Sequence, residues 1–173
     1  FSRNLLVERE DFTETPANGW FRLAPGAEVR LKHAYYVTCQ EVVKDAEGNV
    51  IELKCSYDPA SKGGWTDDGR KVKGTLHWVS AKHAQPIEVR LYDKLFTIPD
   101  LGEIPEGKNY KDYLNPDSLI VNKHALAEAA IAATKPGERY QFLRHGYFCA
   151  DKDSSTGHPV FNRITSLRDS WKG

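Results

Sequence analysis

Residues 28–58, EVRLKHAYYVTCQEVVKDAEGNVIELKCSYD, decide the fold. From Glu28 onward apolar and polar residues alternate, with Val29 and Leu31 on one side and Arg30 and Lys32 on the other. A period of two is what a strand with one wet face requires. Asp45-Ala46-Glu47-Gly48-Asn49 has turn chemistry, and Val50–Asp58 resumes the pattern, so the stretch reads as a β-hairpin.

Working outward, the same period recurs. RKVKGTLHWVS (70–80) reads as a strand with Leu76 and Trp78 opposed to Thr75, His77 and Val79. In QPIEVRLYDKLF (85–96), Ile87, Val89 and Leu91 oppose Glu88, Arg90 and Tyr92. RYQFLRHGYFCAD (139–151) and HPVFNRITSLRD (158–169) are further strands. Between them, the loop PASKGGWTDDG (59–69) and the stretch 99–118, with Pro99, Pro105 and Pro116, are irregular. HALAEAAIAAT (124–134), rich in alanine and ended by Lys135-Pro136-Gly137, predicts the one short helix. Many short strands with a single helix define an all-β barrel architecture.

The 173 residues suffice for one ordinary domain or two small ones. Lys and Arg number 24 against 24 Asp and Glu, so the chain is no bulk polycation. Acids crowd residues 98–128, whereas basic residues prevail over 134–173. Three widely spaced cysteines, Cys39, Cys55 and Cys149, read as buried free thiols of a reducing compartment. With no secretory leader and no apolar run of about 18 residues, a cytoplasmic protein is expected. The chain has no methionine, and Phe1 is too bulky for ordinary initiator removal, so a fragment of a longer protein is expected.

Catalytic signatures are missing from the sequence. It has no phosphate-binding glycine loop, G-x-S-x-G elbow or H-E-x-x-H pattern, and PEGKNY (105–110) lacks the flanking residues of a P-loop. His145 and Cys149 have no second ligand pair to complete a metal site. Asp67-Asp68 beside Gly69 reads as a solvated turn. What the pattern does offer is Arg, Lys and Gln interleaved with aromatics: Arg22 beside Trp20 and Phe21, Arg30 and Lys32 on one strand face, and Gln141 and Arg144 among Tyr140 and Phe142. Planar forks on base edges with rings on base faces read unstacked RNA. An ordinary amphipathic sheet gives the same composition.

GRKVKGTLHWVSAKHAQPIEVRLYDKLF, NPDSL followed by GERYQFLRHGYFCAD, and PVFNRITSLRDSW carry a resemblance. They resemble the C-terminal anticodon-binding region of the glutaminyl-tRNA synthetase family, and the likeness runs from FSRNLLVEREDF through the whole of 1–173. It implies two interwoven six-stranded β-barrels of the ribosomal protein L25 type. The chain's ends would meet in the proximal barrel, and its middle would form most of the distal one. It also implies that this segment is non-catalytic, and that an upstream catalytic domain uses ATP with magnesium to charge glutamine onto its tRNA. The HIGH and KMSKS signatures of that domain do not occur here. The expected partners are glutamine tRNA and that upstream domain, in a monomeric protein that binds no membrane and holds no metal or cofactor in this segment.

Residue by residue, the resemblance assigns Arg22 to the third anticodon base, a guanine, and Arg30 to the first base. Lys32 stands there in place of a second arginine. Gln141 and Arg144 are assigned to the central uridine, whose pocket in the family includes a further arginine preceding Phe1. Gly19 and Phe21 replace a glutamine and a lysine near the third base. Arg168 matches a basic residue of the last strand and is a possible tRNA contact. In a regular strand Gln141 and Arg144 would face opposite ways. Shared contact with one base therefore predicts a bend, bulge or strand end near Leu143–Gly146. Two alternatives are the equivalent region of an archaeal or eukaryotic-type glutamyl-tRNA synthetase and a non-catalytic β-barrel that scaffolds protein contacts.

Overall fold

In a computed structural model, residues 1–167 are described, and the chain divides into two units, Phe1–Lys82 and His83–Gly173. The first unit holds β1 (Leu5–Leu6), β2 (Glu28–Leu31), β3 (Tyr36–Lys44), β4 (Val50–Asp58), β5 (Thr75–Leu76) and β6 (Val79–Ser80). Its four-stranded sheet has the order β4-β3-β2-β5, and β1 pairs with β6 in a separate two-stranded ribbon.

The expected hairpin is β3–β4. The Asp45 carboxylate accepts from the Asn49 side chain at 3.0 Å and from the backbone N–H groups of Asn49 (2.7 Å) and Glu47 (3.1 Å), which hold it below the usual carboxylate range. This is the local bonding that makes Asp a turn former. Alternation in β2 is realised, since Val29 and Leu31 are buried. They join Phe12, Leu23, Val37 and Leu76 in one core, where a full burial contributes roughly 1.5–3 kcal/mol per side chain. The single strand expected over 70–80 is instead two short ones, β5 parallel to β2 and β6 antiparallel to β1. Between them the Trp78 indole donates to the Lys32 carbonyl at 3.0 Å.

The second unit contains β7 (Gln85–Tyr92), β8 (Leu119–Ala127), β9 (Arg139–Phe142), β10 (Gly146–Ala150) and β11 (Val160–Thr165), in the sheet order β8-β7-β11-β10-β9. Its core joins Ile87, Ile131, Phe148, Ala150 and Phe161. Phe142 stacks on Phe148 at 4.5 Å between ring centroids, and Phe142 and Tyr140 both meet Phe161 edge-on.

The expected helix over 124–134 is not formed. Its first part is the end of β8, and Ala129–Ala133 is a 3-10 run. Alanine's helical preference is a weak prior, and a segment shorter than about 12 residues cannot hold a helix unaided. Pairing with β7 along Gln85–Tyr92 supplies a ladder, and Ala125 opposite Ile87 packs against the core. The chain is mostly β, and no sheet closes into a barrel among the described residues. No helix among them is long and apolar enough to cross a membrane.

Candidate nucleic-acid interface

In the first unit, Arg22 lies in a bend just before Leu23, where the chain runs beside Phe12 in an isolated bridge. One edge of its guanidinium is already tied down. Nη1 donates to the Glu10 carbonyl at 3.1 Å, and Nε is 3.5 Å from the carboxylate of fully buried Asp11. The group sits 5.5 Å from the Trp20 ring centroid, and that indole is itself fixed by its N–H on the Leu23 carbonyl at 3.0 Å. With 41% of the side chain exposed, a planar donor is held on a ring with its remaining edge toward solvent. That arrangement suits a base edge.

Arg30 is more enclosed than its place on the wet face of β2 suggests. Its Nη2 donates to the Val72 carbonyl at 3.2 Å, its Nε is buried without a partner, and its guanidinium lies 5.9 Å from the Tyr36 ring centroid. Tyr36 is the Cα partner of Arg30 across β2–β3 and is shared with Arg70, 5.2 Å away. Arg70, which sequence reading passed over, pairs with Asp58, with Asp68 at 3.2 Å and with Glu28 at 3.4 Å. The Asp58 hydrogen bond, followed by the neighbouring carboxylates, raises its already high pKa. The visible signal was an arginine directly after the Asp-Asp-Gly turn. Lys32 falls past the end of β2, in the turn that contains His33 at φ 60, and is half-buried.

In the second unit, Gln141 and Arg144 share one hairpin. Gln141 is an exposed residue of β9, with Tyr147 of β10 as its Cα partner. Leu143-Arg144-His145 form the connection, closed by the His145 N–H on the Phe142 carbonyl at 3.0 Å. Regular pairing therefore ends between the two residues, within the span where the sequence predicts a bend or strand end. The left-handed residue of the turn is Arg144 itself, at φ 67. Gly146 follows at φ 134, and a Cβ there would lie 2.3 Å from the Thr165 carbonyl oxygen. The hairpin is thus fastened from behind by a close backbone approach that only glycine permits. Arg168 lies outside the described residues.

Two further groups have shifted ionisation. Cys39 and Cys55 are Cα partners across β3–β4, and both thiols are free; Cys39 is buried and donates to the Glu41 carbonyl at 3.9 Å, whereas Cys55 is exposed. Burial pushes the Cys39 thiol above its ordinary value. In the second unit, Arg90 donates from Nε to buried Glu88 at 2.7 Å and from Nη1 to Asp153 at 3.1 Å, with Asp151 at 3.7 Å. Those bonds raise its pKa and mark a structural clamp. Among the described residues, no group of three or more His, Cys, Asp or Glu could hold a metal ion.

Planar groups laid on rings and exposed polar side chains are what readers of unpaired bases use. Two family models, both described as tRNA synthetases class I (E and Q), anti-codon binding domain, match residues 1–58 and 75–151. The chain belongs to this family of anticodon-binding domains. Within it, the similarity is to glutamine–tRNA ligase. The chain is 52% identical over 171 residues to that of Nitrobacter hamburgensis, 51% over 172 to that of Pseudomonas putida and 51% over 173 to that of Xylella fastidiosa. Each comparison covers 99% of this chain, which spans 30% of the length of the relative.

Proposed function

We propose that this chain is the part of a glutamine–tRNA ligase that reads the three bases of the glutamine anticodon, so that a catalytic domain upstream charges the matching tRNA. The observation that carries the assignment is the β9–β10 hairpin, which brings Gln141 and Arg144 onto one exposed loop structure by ending the strand between them. An amide and a guanidinium supply both acceptor and donors for the Watson–Crick edge of a uracil. Arg22, stacked on Trp20, reads the third base, and Arg30 reads the first with Lys32 as a charge beside it. Lysine supplies a point charge there and no bidentate fork. ATP and magnesium act outside this segment, which lacks the HIGH and KMSKS signatures. Two barrels of the L25 kind, with the chain's ends meeting in the proximal one, and a monomeric cytoplasmic protein complete the proposal.

Glutaminylation of tRNA transcripts with each anticodon base changed in turn tests it, using the full-length protein that carries this chain. Charging should fall most on loss of the central uridine. Gln141→Ala and Arg144→Ala should each cost roughly 1–3 kcal/mol of discrimination at that same base. Indifference to the central uridine sinks the reading, and defects at two different bases sink the shared pocket. Glutamine and glutamate tRNAs share this uridine and differ in the third base. Preference for the glutamate anticodon would place the chain with the glutamyl enzymes and make Arg22 the residue to re-examine.

A further inference from the structure

Trp65 is the most exposed large apolar side chain of the described residues, at 76%. A lone exposed apolar residue is common and carries little by itself. Trp65, however, does not hang from a loose loop. Asp58 caps the 3-10 turn Pro59–Ser61 by accepting from the Ala60 N–H at 2.9 Å. Fully buried Ser61 donates to the Asp58 carbonyl at 2.6 Å and accepts from the Tyr36 N–H at 2.7 Å. Next in the chain, the Gly63 N–H reaches the Ala34 carbonyl at 2.7 Å and the Gly64 N–H the Ser61 carbonyl at 2.8 Å. The loop is bolted through Ser61 to the first residue of β3 and through Gly63 to Ala34, two residues before the indole, which lies beside Gly63 and has neither a ring contact nor a hydrogen bond among the described residues.

Its position is as specific as its anchoring. Gly64 is buried, and a Cβ there would lie 3.0 Å from Cδ of Arg30 and 3.3 Å from Cγ. The loop backbone therefore rests on the aliphatic stem of Arg30, and the next residue is Trp65. Phe21, also exposed beside an arginine, differs in having the Lys73 ammonium 4.9 Å from its ring centroid. No cation covers Trp65 among the described residues.

We propose that Trp65 is a stacking platform for the first anticodon base, set beside Arg30 so that one base meets an indole on its face and a guanidinium at its edge. The assignment rests on the anticodon reading above. Stacking tolerates any base, because every base has a π-face. The platform therefore adds affinity at a position whose edge-reading is weakened by lysine at position 32, while leaving a variable first base acceptable.

The test measures binding of full-length protein to glutamine tRNA, intact or abasic at the first anticodon position, for wild type, Trp65→Ala, Trp65→Phe and Gln141→Ala. Trp65→Ala should weaken intact tRNA about tenfold, a change of about 1.4 kcal/mol, and should have no further effect on the abasic tRNA. Trp65→Phe should retain most of the affinity. An unchanged affinity for Trp65→Ala overturns the platform, as does an equal loss with both tRNAs. If Gln141→Ala still weakens binding in either case, anticodon reading survives without the platform. If neither variant nor any anticodon change alters binding, the anticodon reading fails with it.

Discussion

The two units prepare their polar groups in opposite ways. In the first, the two candidate arginines are laid on rings and tied by one edge, Arg22 to Trp20, Glu10 and Asp11, and Arg30 to Tyr36 and Val72. In the second, Gln141 and Arg144 are exposed on a hairpin whose course is set by a left-handed turn at Arg144 and a close backbone approach behind Gly146. A side chain fixed in advance loses less rotamer freedom on binding, which the first unit exploits at the expense of free donors. The hairpin tip of the second unit depends on a strained backbone to present its residues. Reading in the first unit should therefore be broken by side-chain changes, and reading in the second by backbone changes.

The largest expected effect is on the backbone. In Gly146→Val a Cβ would meet the Thr165 carbonyl oxygen at 2.3 Å, at a φ of 134 that L side chains rarely adopt. The cost should be about 3 kcal/mol, read as a lower urea midpoint. Discrimination at the central uridine should fall while third-base discrimination in the surviving folded protein stays. An unchanged midpoint would mean that the hairpin is not locked from behind, and the contrast between the units would lose its second half.

Arg22→Lys probes the other half. The cation beside buried Asp11 is kept, so stability should change by less than about 0.5 kcal/mol. The planar fork on Trp20 is removed, and discrimination at the third base should drop by about 2 kcal/mol. Charging of transcripts with the third base changed, set beside urea melts of the same preparations, separates the two. A lysine that reads as well as arginine would show that charge, and not the stacked fork, does the work at Arg22.

These contrasts were only partly legible in the sequence. The β3–β4 hairpin was, because Asp45–Asn49 carries turn chemistry, but the single strand read from Glu28 is broken after Leu31 into β2 and β3, which pair antiparallel with each other. The end of the strand near Gly146 was legible too, from the spacing of Gln141 and Arg144 once both were assigned to one base. The run at 124–134 misled, since local alanine content says nothing of the β7 ladder that captures it as β8. Arg30 looked like a free residue of a wet face. Its enclosure depends on Val72 and Gly64, both more than 30 positions away, which no local pattern encodes. Asp11, the buried carboxylate behind Arg22, was hidden for the same reason: its burial comes from chain crossing, not from its neighbours in sequence.

The smallest expected effect belongs to Lys32, and it bears on whether the first unit is uniform. Lys32 lies past the end of β2, with its carbonyl held by Trp78 and its side chain half-buried in the turn. It has neither the ring nor the carbonyl tie that fixes Arg30, so it should act as a charge and not as a fork. Lys32→Ala should weaken every tRNA alike, and the slope of log affinity against log salt should fall by about 1, as expected when a single phosphate is no longer neutralised by the protein. First-base preference should not move. If that preference shifts and the salt slope stays, Lys32 reads the base edge after all, and a residue without prior fixation reads as well as one held on a ring. The distinction between the units would then lie in where their readers sit and not in how firmly they are held.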